Sequence, residues 1–167
     1  MKKNILIFYV VTMKHVENLK IIENFFLNYK IIYLFEKKLN LINQDYFLKN
    51  NMSFKYNFEF ENFIEQNKNL IKLIIFSTGQ PRHFPIDIFY YSVVQNIKTV
   101  SLQETNQFFL HNGKINNYLL PTDKYFLLSD FELKLFTLNN YCKSKLVNTG
   151  IFYNYKYQLM KKNEMII

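Results

Sequence analysis

The chain has 167 residues, of which 49% are hydrophobic and 20% charged, and it carries a formal net charge of +8 at neutral pH. That length suits one domain with a real core, and the balance of apolar to charged residues excludes a disordered chain. Alanine and tryptophan are absent and there are only three glycines, against 18 Phe and 13 Tyr. Lys, Asn, Ile, Phe and Tyr are abundant, the set favoured by AT-rich codons. The lysines are scattered rather than gathered into a stripe, and no nucleic-acid motif accompanies them. The charge therefore reads as drift towards Lys, and no specific nucleic-acid partner is expected.

Along the chain, short β-rich apolar runs alternate with helical patterns, the signature of βαβ units on a mainly parallel sheet. The first strand is expected at Ile5–Val11. Lys2-Lys3-Asn4 ahead of this run has the outline of a secretory signal. The run is short, however, lacks a small-residue cleavage site and passes straight into Lys14-His15, so it reads as a buried strand. A helix over Val16–Asn28 follows, with Val16, Leu19, Ile22 and Phe26 at helical spacing and Glu23 on the opposite, polar side. Ile31–Phe35 is the second strand. The Asn-rich stretch from Lys37 to Asn51 gives no clear signal, and Phe54–Phe60 alternates like a short strand or an extended lead-in. Phe63–Leu70 reads as a helix leading into Lys72–Phe76, a continuous apolar strand of buried type.

Next comes the loop Ser77-Thr78-Gly79-Gln80-Pro81-Arg82-His83-Phe84-Pro85, then a helix over Ile86–Asn96 and a buried strand at Thr99–Leu102. Phe108–Tyr118 suits a small hairpin around Asn112-Gly113. The last unit is a strand at Tyr125–Leu128, a helix opened by Ser129-Asp130, and a short strand at Lys145–Asn148 closing on Thr149-Gly150. Residues 1–150 are thus expected to form a Rossmann-like lobe, with helices on both faces of a mainly parallel sheet. Residues 151–167 are expected to be a linker and the start of a second lobe cut short. Cys142 is the single cysteine, which excludes an intrachain disulfide and fits a reducing compartment. No apolar stretch reaches transmembrane length. A cytoplasmic location is expected, with peripheral contact at the inner face of the membrane.

Ligands of open α/β sheets collect beyond the carboxyl ends of the strands. Four loops qualify: Thr12–His15, Ser77–His83, Gln103–Gln107 and Ser129-Asp130. In the densest of them, Gly79 permits close backbone approach, the prolines stiffen the loop, and Arg82 offers a fork for phosphate or carboxylate. A stiff turn with a surface arginine is the plainer reading. Glu104, at the end of an apolar strand, fits a general base or a carboxylate bonded to neighbouring amides. His15 fits a base or a hydroxyl-holding group, and equally a solvent-facing cap. Three dispersed histidines and one cysteine give no metal-ligand spacing, so no metal is expected. There is no G-x-G-x-x-G after the first strand, no P-loop, and no nucleophile elbow around Ser101 or Ser129.

The run Lys72–Thr78, the Gly79-Gln80-Pro81-Arg82 loop, the helix after it and Lys98-TVSLQETNQ together resemble the N-terminal lobe of GT-B glycosyltransferases. The related nucleotide-sugar 2-epimerases and CDP-glycerol glycerophosphotransferases share this pattern. Asp123-KYFLLSDFELKLF…KLVNTG resembles the closing strand and helix of that lobe. The resemblance is firm over 72–150 and loose before that, and the glycine that many members carry after the first strand is absent here. It implies an acceptor-binding half of a glycosyl- or glycerophosphotransferase of surface polysaccharide or glycolipid synthesis, incomplete for catalysis alone. Glu104 or His15 would deprotonate the acceptor. Thr78, Gly79, Gln80, Arg82, Gln103, Thr105 and Ser129 would line its site. The implied partners are a sugar or lipid-linked acceptor and a donor-binding lobe or subunit. The nucleotide-activated donor, a nucleotide-sugar or CDP-glycerol, would be held by that second lobe, with no cofactor bound by this one. The alternatives are a non-catalytic α/β binding module and a flavodoxin-like small-ligand binder using Ser77–Gly79.

Overall fold

A computed structural model of the chain describes residues 3–77, 85–102, 110–111, 114–115 and 122–149. Strand β1 (Asn4–Val10) is buried from its second residue to its last. Its side chains alternate between two cores, as a strand covered on both faces must. Ile5, Ile7 and Tyr9 enter one core, and Leu6, Phe8 and Val10 the other. Helix α1 (Met13–Glu23) returns the chain to β2 (Tyr29–Phe35), and α2 (Leu41–Lys49) to β3 (Ser53–Tyr56). A 3-10 turn over Asn57–Glu59 runs into α3 (Phe60–Asn67), which carries the chain to β4 (Ile71–Phe76). Then come α4 (Ile86–Val94), β5 (Lys98–Leu102) and a two-stranded ribbon of β6 (Leu110–His111) and β7 (Lys114–Ile115). The final unit is β8 (Lys124–Leu127), α5 (Asp130–Leu138) and β9 (Leu146–Asn148).

Seven strands form one sheet in the order β3-β2-β1-β4-β5-β8-β9, and every pairing in it is parallel. The fold is α/β and Rossmann-like. The chain winds outward from β1 to β3, crosses back, and winds outward again from β4. The direction therefore reverses between β1 and β4, where neighbouring connections leave on opposite faces and open a crevice. Val16 and Leu19 of α1 and Phe47 of α2 cover the Leu6–Phe8–Val10 face, while Phe60 and Ile64 of α3 and Ile88 of α4 cover the other. A smaller cluster of Tyr125, Leu127, Phe136 and Leu146 lies under α5.

With no alanine to fill small spaces, aromatic rings carry much of the packing. Phe47 is fully buried and meets Tyr33, Phe35 and Phe54 at ring separations of 5.5, 5.4 and 5.2 Å. Contacts of this kind add roughly 0.5–1.5 kcal/mol each beyond the area they bury. Helices α2, α4 and α5 all end on asparagine at positive φ, Asn51, Asn96 and Asn140. In each case the following amide reaches back five residues: Met52 to Phe47, Ile97 to Ser92 and Tyr141 to Phe136, at 2.9, 2.9 and 3.1 Å. This is the Schellman closure that glycine usually supplies.

The structure departs from the sequence reading in four places. Helix α1 runs from Met13 to Glu23 where Val16–Asn28 was expected, so His15 lies inside its first turn instead of ahead of it and Phe26 lies beyond its end. The unassigned stretch after Lys37 contains α2, whose start is fixed by the Asn40 side chain accepting from Asn43 N–H at 2.9 Å. Helix α3 begins three residues earlier than its apolar spacing suggested, because the 3-10 turn winds directly into it. Glu23 is half-buried and accepts a hydrogen bond from the Tyr33 hydroxyl across α1 and β2. The ribbon pairs Leu110 with Ile115 and His111 with Lys114, as a hairpin requires, while its turn residues Asn112 and Gly113 lie outside the described residues. No described helix is long and apolar enough to cross a membrane.

Candidate functional site

Parallel register brings the ends of β1 and β4 side by side, with Tyr9 opposite Phe76. Ser77, the first residue beyond β4, donates its backbone N–H to Tyr9 O at 3.0 Å and so stays in the sheet's line. His15 arrives at the same place from the other direction. Helix α1 starts at the N-cap Thr12 and places His15 three residues later, its N–H bonded to Thr12 O at 3.1 Å. The ring turns inward over the strand ends and is only 9% exposed. Its Nδ1 lies 3.3 Å from Val11 N and 2.6 Å from Ser77 Oγ.

These contacts fix the ring's chemistry. A backbone N–H can only donate, so the Nδ1 lone pair faces it and no proton sits there. In the tautomer with its proton on Nε2, Ser77 Oγ shares that lone pair as the nearer donor. Ser77 is 1% exposed. A hydroxyl so enclosed is suited to holding an imidazole rather than to attacking a substrate. The pair therefore presents a fixed ring at the switch point, with Nδ1 occupied from within the protein.

Across the sheet from α1 lies a cavity of about 660 Å³ at the same carboxyl edge. Tyr9 forms its inner wall, Glu36 follows β2, Asn57 follows β3, and Glu61 and Asp87 come from the first turns of α3 and α4. Phe58, Phe60, Ile86 and Tyr91 supply its apolar surface. Burial pushes the Tyr9 hydroxyl up to about 12; the Asn57 side chain opposes the shift and the charge of Glu36 adds to it. Tyr9 thus stays protonated at physiological pH. The Oδ1 atom of Asn57 is buried without a hydrogen-bond partner among the described residues.

The expected site residues are placed unevenly. His15 is at the switch point, not on a solvent-facing cap. Ser129 is the N-cap of α5, where its Oγ accepts from Glu132 N–H at 3.2 Å. Glu132 turns back, and its Oε2 accepts from Leu128 N–H at 2.6 Å. Ser129 thus caps the helix start, while Glu132 reaches back to the amide one residue before the cap. Glu132 is 1% exposed and its Oε1 has no partner among the described residues. Burial pushes its carboxyl up, against the pull of the Leu128 and Ser129 backbone hydrogen bonds. Thr78, Gly79, Gln80, Arg82, Gln103, Glu104 and Thr105 lie outside the described residues.

Sequence reasoning passed over Ser77 as a partner for His15, and Tyr9, Glu36 and Asn57 as a group. Glu36, Asn57 and Ser77 each stand immediately after a strand, which is the one signal that could have gathered them. No group of histidine, cysteine, aspartate and glutamate able to hold a metal ion occurs among the described residues. In comparisons with known proteins, no family model matches the chain and no curated protein matches its sequence.

Proposed function

We propose that the chain is the acceptor-binding lobe of a GT-B-type transferase, working with a donor-binding lobe or subunit to move a glycosyl or glycerophosphoryl group onto a hydroxyl. The observation that carries this reading is the enclosed His15–Ser77 pair at the β1/β4 switch point. Dinucleotide-binding sheets need glycines at the turn after β1, so that backbone amides can approach a pyrophosphate. Here Val11-Thr12-Met13-Lys14 occupies that turn and an imidazole covers the strand ends. Such an edge favours a neutral, hydroxyl-bearing ligand over a diphosphate. His15 would orient the acceptor hydroxyl, with Glu104, which lies outside the described residues, as the candidate base. The exposed apolar residues of α4, Ile86, Tyr90, Val93 and Val94, favour a second reading as a non-catalytic interaction module.

Nuclear magnetic resonance titration of the purified chain separates these readings. Methyl glucoside and free glycerol stand in for the acceptor, and CDP, UDP and NAD for the nucleotides. The acceptor reading expects the sugar or glycerol to shift the His15 ring signals while the nucleotides leave them in place. A nucleotide that moves the His15 signals would overturn it. No shift with any probe would leave the interaction module as the better account.

A further inference from the structure

Lysines that are scattered along the sequence are gathered by the fold, because parallel strands all start at one edge of their sheet. Six strands of the seven-stranded sheet have an exposed lysine within one residue of their start. These are Lys3, Lys30, Lys72, Lys98, Lys124 and Lys145, for β1, β2, β4, β5, β8 and β9. The six strands are consecutive neighbours, so at about 4.8 Å per strand the row runs roughly 24 Å along the amino edge. Lys49 and Lys68 join it at the ends of α2 and α3, and Lys143 ahead of β9. Cations favour helix C-termini, but of these lysines only Lys49 and Lys68 belong to the end of an α-helix. The carboxylates described at this end are engaged: Glu23 with the Tyr33 hydroxyl, Glu65 with that of Tyr91 at 3.3 Å, and Asp123 with Thr99 N–H at 2.8 Å. Outside the described residues the only carboxylates are Glu104 and Glu164. Even with both counted here, nine lysines face five carboxylates. The five α-helices joining parallel strands end at this edge and add roughly half a negative charge each, which leaves the balance positive. Arg82 and the lysines outside the described residues can only add to it.

The same edge bears apolar side chains that the core does not take up. Leu27 lies between α1 and β2, Leu48 in the last turn of α2, Val93 and Val94 at the end of α4, and Leu138 at the end of α5. All five are more than half exposed. Exposed apolar residues occur at the carboxyl edge as well, but that edge carries Glu36, Glu61, Asp87 and Asp130. The combination of lysine and aliphatic side chains selects the partner. Lysine is a point charge without the planar fork of arginine, and leucine and valine offer no ring on which a nucleic-acid base can stack. A bilayer with anionic headgroups takes both kinds of residue. Lysines meet the headgroups, and aliphatic side chains enter the boundary with the acyl chains. From this we infer that the amino edge of the sheet is a docking surface for an anionic phospholipid bilayer, bound peripherally. The His15–Ser77 pair lies at the opposite edge, so the inference does not depend on the acceptor reading.

The test is flotation of the full chain with vesicles of phosphatidylcholine alone and of phosphatidylcholine mixed equally with phosphatidylglycerol. The mixed vesicles are expected to carry the protein and the neutral ones to leave it behind, with binding falling as salt rises. The triple variant Lys30→Gln/Lys72→Gln/Lys145→Gln should bind the mixed vesicles about 100-fold more weakly, since each lysine near such a surface counts about fivefold. Lys14→Gln/Lys37→Gln/Lys38→Gln removes the same charge from the carboxyl edge and should bind nearly as the native protein does. Leu27→Ser/Leu138→Ser should weaken binding and leave its salt dependence unchanged. All these side chains are exposed, so the substitutions leave the fold intact. Absence of binding, equal binding of both kinds of vesicle, or equal losses in the two lysine triples overturns the inference. A DNA duplex bound as tightly as the mixed vesicles, with no effect of the leucine changes, overturns it in favour of a nucleic-acid surface.

Discussion

Replacing Ser77 and His15 singly and together measures whether the pair at the switch point is one unit. Ser77→Ala removes one short buried hydrogen bond, at 2.6 Å, while Val11 N–H keeps its acceptor. The expected cost is about 1 kcal/mol. His15→Ala removes the acceptor for both donors and leaves a gap where a 9% exposed ring had packed, for about 2–4 kcal/mol. Once the ring is gone, the serine has no partner left to lose. The double variant should therefore be only slightly less stable than His15→Ala, with a coupling of about 1 kcal/mol. In a chain of 167 residues that coupling corresponds to a difference of roughly 2–4 °C in Tm. Urea unfolding of the four proteins gives the coupling, and two-bond proton–nitrogen spectra of the histidine rings give the tautomer. Native protein and Ser77→Ala should both show the proton on Nε2, because Val11 N–H still faces Nδ1. A coupling below about 0.3 kcal/mol, within the additivity expected of independent sites, would refute the reasoning. So would a proton on Nδ1 in the native protein.

Two further outcomes follow from features away from that edge. The Glu132 carboxyl is raised in the folded state by burial, so folded protein binds its proton more tightly than unfolded protein does. Its contribution to stability is therefore fully present below the ordinary glutamate range and is lost as pH rises through the raised folded value. Glu132→Gln should flatten this fall in urea titrations run from acid to neutral pH. A fall of equal size in the variant would assign it to another group. Glu132→Leu, which also strands Leu128 N–H, should cost about 1–3 kcal/mol at any pH in that range. Alanine at Asn51, Asn96 or Asn140 should destabilise by about 1 kcal/mol each, since a Cβ residue without a helpful side chain resists positive φ. The three losses should add in a triple variant because the helix ends are separate. Unchanged unfolding midpoints would show that those ends relax into another turn.

The alternation of strands and helices was legible because buried parallel strands here are continuous apolar runs, as at Ile5–Val10 and Ile71–Phe76. Helix α2 was not, for a physical reason. It buries Phe47 alone and leaves Leu41, Ile42 and Leu48 exposed, so its apolar residues trace no single stripe. Its cap, Asn40, was the readable sign. His15 could be nominated from its place after β1. Its tie to Ser77 could not, since 62 residues separate them and only the strand order sets β4 beside β1. The cavity was hidden similarly. Its polar residues follow β2 and β3 or open α3 and α4, and they converge only when those strands lie next to β1.

The asparagine-ended helices bear on how such a fold tolerates a skewed amino-acid supply. Of the residues most abundant in this chain, Asn, Lys, Leu, Ile, Phe and Tyr, only asparagine enters the left-handed region with ease. Where codon bias makes glycine scarce, it is the one abundant residue able to stop a helix and turn the chain back towards the sheet. Three connections of this sheet depend on it, those leading from α2 to β3, from α4 to β5 and from α5 to β9. Compositional drift can then run far through core and surface while these three positions stay closed to lysine, isoleucine and the aromatics. In a diverged relative, Asn or Gly at these positions would mark the fold after the rest of the sequence had become unrecognisable.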